Sequence, residues 1–260
     1  MNDSAKFNWS GVLIFIALLV VWECGARSSP RLELYLPPAS QVIIALVQTL
    51  ASGQIVNHLL TTLIRFFGGY LIAAMVGVIL GTVLGYFRFI HSLLDMVIEL
   101  LRPMPSVAII PVAILSLGIG DTMIVAVTVY ATLWPILVNT IDGVRHIDRT
   151  LIDTGRTFGL RRGRILRRIV LPAALPYVVT GLRVGLAIAL ILVTTAEMVA
   201  GSKGLGFFIL DEERSMNSSN MYAGIILVAI LGYALNRLFL FLESKAMKWR
   251  RGMGLREAVS

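Results

Sequence analysis

Hydrophobic positions in this chain run together rather than alternate. Stretches such as IFIALLVVW and IILVAILG show neither the two-residue period of a half-buried strand nor the narrow stripe of a surface helix. Six such segments approach the roughly 20 residues needed to cross a bilayer. They fall at 11–27, 60–87, 92–117, 121–141, 174–199 and 221–243, separated by SSPRLELYLPPAS, FRFIH, GIGD, DGVRHIDRT and GSKGLG. Hydrocarbon offers peptide groups no partners, so each span is expected to be helical. A transmembrane β-barrel would need the alternation that these runs lack. The pattern predicts an all-α integral membrane protein with about six transmembrane helices, in which 1–260 form a single transmembrane domain. Its parts are an N-terminal anchor helix at 11–27, core spans over 60–243, a polar loop at 142–172 and a basic tail at 244–260. The first span reads as a retained anchor rather than a cleaved leader, because Glu23 follows the apolar run directly and no A-x-A site precedes Pro30.

Composition agrees with the pattern. The chain is 57% hydrophobic, with a mean hydropathy of +0.83, above the usual share for soluble domains. Cys24 is the sole cysteine, which excludes an internal disulfide and any CxxC site. The net charge of +8 collects in 142–172 and 243–260, beside apolar spans, and so points to membrane topology rather than to nucleic acid. With the N-terminus inside, the inner segments hold 15 Lys and Arg, including Lys6, Arg88 and eight arginines between Arg145 and Arg168, and the outer segments hold 4. Both termini and the 142–172 loop are therefore expected in the cytosol.

That loop has internal order. A first helix is expected over about Thr150–Phe158, with Asp148 as N-cap and Gly159 as the turn. A second, amphipathic helix carries Ile165, Leu166, Ile169 and Val170 among five arginines, and Leu171-Pro172 is expected to end it. A loop that only fixes topology needs charge, but it needs no glycine at a set place. Its charge alone fits a loop that fixes topology, whereas the placed glycine fits a contact for a cytosolic partner.

Other chemistry is sparse. No GxxxxGK[ST] phosphate loop occurs, and GSKGLG at 201–206 reads as a flexible external turn. His58, His91 and His146 are scattered, and nothing suggests a metal site or catalysis. Charges inside spans are costly, which makes them candidates for function. Arg102 is expected to pair with Glu99 one turn earlier, to snorkel toward the inner surface, or to line an anion path where Pro103, Pro105 and Pro111 break the third span. Arg65 and Glu197 lie nearer the outer ends, as gate or packing residues. Thr194 and Thr195 offer hydroxyls either to a path or to helix packing. The candidate substrate path comprises Arg102, Pro103, Met104, Pro105, Thr194, Thr195 and Glu197.

The spacing Gly159, nine residues, Ile169, one residue, Leu171-Pro172 resembles the EAA-x3-G-x9-I-x-LP signature of importer-type ABC transporter permeases. Asp153, Thr154 and Gly155 stand where Glu-Ala-Ala would be, and a glycine there softens a helix by roughly 1 kcal/mol relative to alanine. Leu100–Asp121, Thr132–Asp148 and Ala196–Gly206 are similar to the nitrate, sulfonate, taurine and bicarbonate branch. The resemblance implies a type I importer fold in a bacterial cytoplasmic membrane. It implies a second permease copy, two ATP-binding subunits that use ATP and Mg, and an extracytoplasmic solute-binding protein. The loop helices would be coupling helices, with Asp153, Thr154, Gly155, Gly159, Ile169, Leu171 and Pro172 as the ATPase-coupling residues. This chain would bind no cofactor and hydrolyse nothing itself. Its cargo would be a small oxyanion or organic acid. The competing class is a stand-alone ion-coupled secondary transporter or channel, for which inverted repeats and buried coupling acids would speak; no clear repeat relates the halves, and acids within spans are few.

Overall fold

The computed structural model describes residues 9–246, so Lys6 and most of the basic tail lie outside the described residues. Twelve α-helices and no strand occur among these residues: α1 Trp9–Arg27, α2 Pro30–Tyr35, α3 Ala39–Ala51, α4 Gln54–Tyr86, α5 Arg88–Leu101, α6 Ile110–Leu117, α7 Asp121–Arg145, α8 Arg149–Thr157, α9 Arg162–Ile165, α10 Leu171–Ala200, α11 Leu205–Arg214 and α12 Ser218–Ala246. Five helical stretches are long and apolar enough to cross a membrane: Glu33–Ala51, Gln54–Tyr86, Asp121–Arg145, Arg162–Ala200 and Ser218–Lys245. A bent pair, Arg88–Leu101 with Ser106–Leu117, makes a sixth if counted as one span.

Several expected boundaries shift. α4 starts at Gln54, not near 60, because His58 and Thr62 use their polar groups on the 201–206 turn and the helix extends past its apolar stretch. The segment expected as a polar connection before it contains α3. That helix packs Val42 and Ala45 against Ala223 near the start of α12, and Trp22 Nε1 of α1 donates to Pro37 O at 3.1 Å. The third span is not one helix. It turns by 89° between Leu101 and Ser106, where Pro103 and Pro105 supply no backbone donor. Tyr130 of α7 donates its hydroxyl to the Leu101 carbonyl at 2.9 Å, beside a backbone bond from Met104 N at 3.3 Å.

Leu171-Pro172 does not end the second loop helix. Helix runs on from Arg162 to Ala200 through a π turn at Leu166–Val170. The wider turn shifts the hydrogen-bond register, so Pro172 falls in the first turn of α10, where a missing N–H is tolerated.

The core is a three-helix stack with α7 in the middle, packed on α4 and α10. Lipid gives apolar helices little reason to associate, so close approach through small residues has to supply the attraction. On α4, Gly69, Ala73, Gly77, Gly81 and Gly85 recur every fourth residue and are all buried. A Cβ added at Gly77, Gly81 or Gly85 would lie 2.8, 2.6 or 2.6 Å from side-chain atoms of Ile136, Thr140 and Val144. The other side of α7 is equally tight: a Cβ at Gly181 of α10 would meet Asn139 Cβ at 2.8 Å, and one at Gly143 of α7 would meet Tyr177 Cβ at 2.6 Å. Phe66, Met123, Ile124, Val127, Ala189 and Val193 fill one end of the stack, and Val144, Ile165, Val170 and Ala174 fill the other.

This packing predicts that Gly81→Leu destabilises the chain by about 1–3 kcal/mol, the usual cost of overfilling a tight core. Gly163→Ala, at a helical position with open space around it, should leave stability unchanged or slightly raised. Thermal unfolding of both variants in one detergent checks this, and equal midpoints would refute the close packing.

Candidate functional site

The loop between α7 and α10 is built as a two-sided wedge. Asp148 caps α8 by accepting from Thr150 N at 2.9 Å, and this backbone bond holds its carboxyl below the usual aspartate range. Gly159 ends the helix with φ +70°, a left-handed position that favours glycine, and Leu160 N donates back to Gly155 O at 3.0 Å. The observed α8, Arg149–Thr157, is one residue offset from the expected helix. Gly155 is buried, and a Cβ there would lie 2.6 Å from Ile169 Cδ1. The glycine that lowers helix propensity thus lets α8 approach Ile169, so two motif positions meet. Ile165 and Val170 are buried with Val144 and Ala174, which fixes the loop to the ends of α7 and α10.

Successive residues of a helix turn by about 100°. Arg149, Ile152, Asp153 and Arg156 therefore share one side of α8, and Leu151, Thr154 and Phe158 share the opposite side. Leu151 is 51% exposed and Phe158 81% exposed. An apolar knob thus projects from an anchored helix. Asp153 pairs with Arg156 at 3.0 Å on the other side.

The candidate path residues do not form one cluster. Arg102, Pro103, Met104 and Pro105 are exposed at the bend. Glu99 and Arg102 form no ion pair among the described residues, contrary to expectation. The bend begins at Arg102, and both side chains instead line a cleft of about 710 Å³ with His91, Asp95, Asp142 and Arg145. Thr194 and Thr195 return their hydroxyls to their own helix, to Leu190 O at 2.8 Å and Ile191 O at 2.7 Å.

Glu197 is 0% exposed and faces protein rather than an open path. It accepts from Thr62 Oγ1 at 2.9 Å, Arg65 Nη1 at 2.9 Å and Gly206 N at 3.1 Å. Arg65 also donates its Nε to Asp121 at 2.8 Å and its Nη1 to Lys203 O at 2.7 Å. The turn at 201–206, expected to be flexible, is therefore pinned. Gly204 adopts φ +111°, and any side chain there would collide with the Glu197 carboxylate. Asp121 escaped the sequence reading because its partner is 56 positions away; its place at the start of α7, after a Gly-rich break, was the available signal. The glycine stripe of α4 was also passed over, although GVILGTVLG shows its four-residue spacing directly.

Long apolar helices stacked about α7, with a proline-broken span beside them and a capped wedge at one end, define a multi-pass membrane protein. The chain belongs to the family described as binding-protein-dependent transport system inner membrane component, whose model matches residues 75–248. It is 33% identical to a Methanocaldococcus jannaschii chain named as an ABC transporter permease protein, over 96% of this chain and 97% of that one. It is 30% identical to the taurine transport system permease protein of Escherichia coli (89% and 86% covered) and 31% identical to a nitrate import permease protein of a Synechocystis species (87% and 85%). The fold is similar to that of a chain in inward-facing structures of the MetNI methionine ABC transporter, with a TM-score of 0.55 and 21% identity over 82% of this chain and 97% of that chain. This protein is thus a permease subunit of an ABC importer and a multi-pass inner-membrane protein.

Two outcomes test the geometry. Asp148→Ala should speed amide exchange at Thr150, whereas Asp148→Asn should retain protection. Because the native carboxyl titrates below its usual range, capping should persist above the ordinary aspartate pKa and fade as pH falls through the lowered value; the Asn variant should lack that acid-dependent loss. Glu197→Ala, which leaves Arg65 with one carboxylate fewer in a buried site, should cost about 3–5 kcal/mol and admit protease at 201–206. Unchanged cleavage and stability would show that the turn is held elsewhere.

Proposed function

We propose that two copies of this chain form the translocation path of an importer for a small oxyanion or organic acid. Each copy rests on one of two ATP-binding subunits, which use ATP and Mg. Cargo arrives from an extracytoplasmic solute-binding protein, and both termini and the α8 loop face the cytosol. The observation that carries this reading is the exposed Leu151–Phe158 face of α8, held on a loop anchored to α7 and α10. An apolar knob on a rigid mount suits a cleft in a partner, and a mount shared by two long helices passes a push into the membrane. Motif residues Asp153, Thr154, Gly155, Gly159, Ile169, Leu171 and Pro172 build that mount. They shape and anchor the helix rather than offering it reactive groups.

The cargo class is supported by the names of relatives, which include taurine and nitrate permeases. Both solutes carry an oxyanion group. Arg102, exposed at the bend with no ion pair among the described residues, suits such a group. Pro103, Met104 and Pro105 keep the bend open, and Thr194 and Thr195 line α10 farther along.

Phe158→Asp combined with Leu151→Asp should reduce co-purification of the ATP-binding subunit at least about tenfold, as expected when a central apolar anchor is lost. Full association and uptake with both aspartates present would exclude α8 as the docking element. Identifying the solute carried by the binding protein, then measuring its stimulation of ATP hydrolysis by the complex, tests the cargo class. A cationic solute would overturn it. Arg102→Gln should slow uptake while leaving subunit association intact.

A further inference from the structure

Behind α8 lies a second cleft that the docking knob does not use. It encloses about 530 Å³ and is lined by Arg88, Arg145, Arg149, Arg156 and Arg162 together with Asp153 and apolar residues of α4, α7 and the π turn. Five arginines against one acid converge from four elements: the start of α5, the end of α7, α8 and the start of α9. Of the five, Arg156 alone has an ion-pair partner among the described residues, Asp153 at 3.0 Å. Arg88, Arg145, Arg149 and Arg162 make no ion pair and no side-chain hydrogen bond among the described residues. Topology alone calls for positive charge on one side of the membrane; it does not call for four unpaired guanidinium groups around one concavity.

Position narrows the ligand. The floor of the cleft is Gly85–Phe87 and Val144–Ile147, where two helices with membrane-spanning composition end. That level is the boundary between hydrocarbon and headgroups, where anionic lipid phosphates are concentrated. Guanidinium groups bind phosphate oxygens through paired donors, and the apolar residues Tyr86, Phe87, Ile147, Ile152 and Val170 give acyl carbons a wall. Asp153 is the one acid in the lining; Asp95, Glu99 and Asp142 line the neighbouring 710 Å³ cleft, which Arg145 also borders.

We propose that this cleft binds the phosphate group of an anionic phospholipid, with Arg88, Arg145, Arg149 and Arg162 as its ligands. The headgroup then sits against the side of α8 opposite its exposed knob. It joins the ends of α4 and α7 to the loop and offsets the mutual repulsion of the arginines. The inference goes beyond the proposed transport function and depends on neither the cargo nor the ATP-binding subunit.

The test is native mass spectrometry of the purified full chain, offered phosphatidylglycerol and phosphatidylcholine in equal amounts. Phosphatidylglycerol should be retained preferentially. Arg88→Gln with Arg149→Gln should weaken that retention about 30-fold, as for two lost surface charges. Arg88→Lys with Arg149→Lys should keep most of it, and Arg214→Gln, exposed on α11 outside the cleft, should leave lipid retention unchanged. Should the double Gln variant not fold, Arg162→Gln at the exposed start of α9 should still show about fivefold weaker retention. Equal retention of the two lipids by the wild-type chain, or undiminished preference in a folded Gln variant, would overturn the proposal. A soluble source of the same chemistry is distinguished by adding millimolar inorganic phosphate. If it binds the cleft and displaces all phosphatidylglycerol, the ligand is a free phosphate and the lipid assignment is wrong.

Discussion

The close seating of α7 between α4 and α10 is the constraint from which the rest of this structure follows. Inside a bilayer, apolar side chains gain little by leaving lipid for protein. Contact between helices must come from dense packing, and here glycine supplies it at Gly69, Gly77, Gly81 and Gly85 on one side and at Gly143, Gly181 and Gly185 on the other. Such an interface tolerates few intermediate arrangements, because sliding by less than a turn would drive Thr140 or Val144 into backbone. α7 is therefore a rigid strut. Its first residue, Asp121, enters the Arg65 network, and its last turn leads within three residues into capped α8.

Charge is distributed along this strut in a way that separates holding from binding. At the end bearing Asp121, one buried arginine is shared by two carboxylates and a carbonyl, and the second carboxylate also binds a hydroxyl and a backbone amide. Such a knot is costly to assemble and costly to break, and it orders the 201–206 turn where α10 passes into α11. At the other end the arginines are in excess and mostly unpaired. A satisfied cluster fixes shape, whereas an unsatisfied one awaits a ligand. The same contrast separates Glu197, fully enclosed, from Arg102, exposed at a bend of 89°.

Much of this was legible in the sequence. Uninterrupted apolar runs identified four of the five long spanning stretches, because bilayer thickness and peptide hydrogen bonding leave few alternatives, but Glu33–Ala51 was passed over. Asp148 and Gly159 marked the ends of α8 within a residue, since caps and left-handed turns depend on local chemistry. Proline served once and misled once. Pro103 and Pro105 break the third span as expected, whereas Pro172 failed to end its helix because a π turn absorbed it. Local sequence shows where a helix is stressed, but tertiary packing decides whether it breaks. The pairing of Arg65 with Asp121 and Glu197, and the loss of the expected Glu99–Arg102 pair, depend on which helices become neighbours. Gly155 showed the same limit: unfavourable to an isolated helix, it makes room for Ile169 once the loop has folded.

The most direct measurement is an electron cryomicroscopy structure of this permease co-purified with its ATP-binding subunit in a lipid disc. Leu151 and Phe158 of α8 should be buried in a cleft of the ATP-binding subunit, with the α4–α7 glycine contacts unchanged from those described here. An ATP-binding subunit that contacts the permease elsewhere, leaving that face of α8 in solvent, would contradict the assignment of this loop as the coupling element.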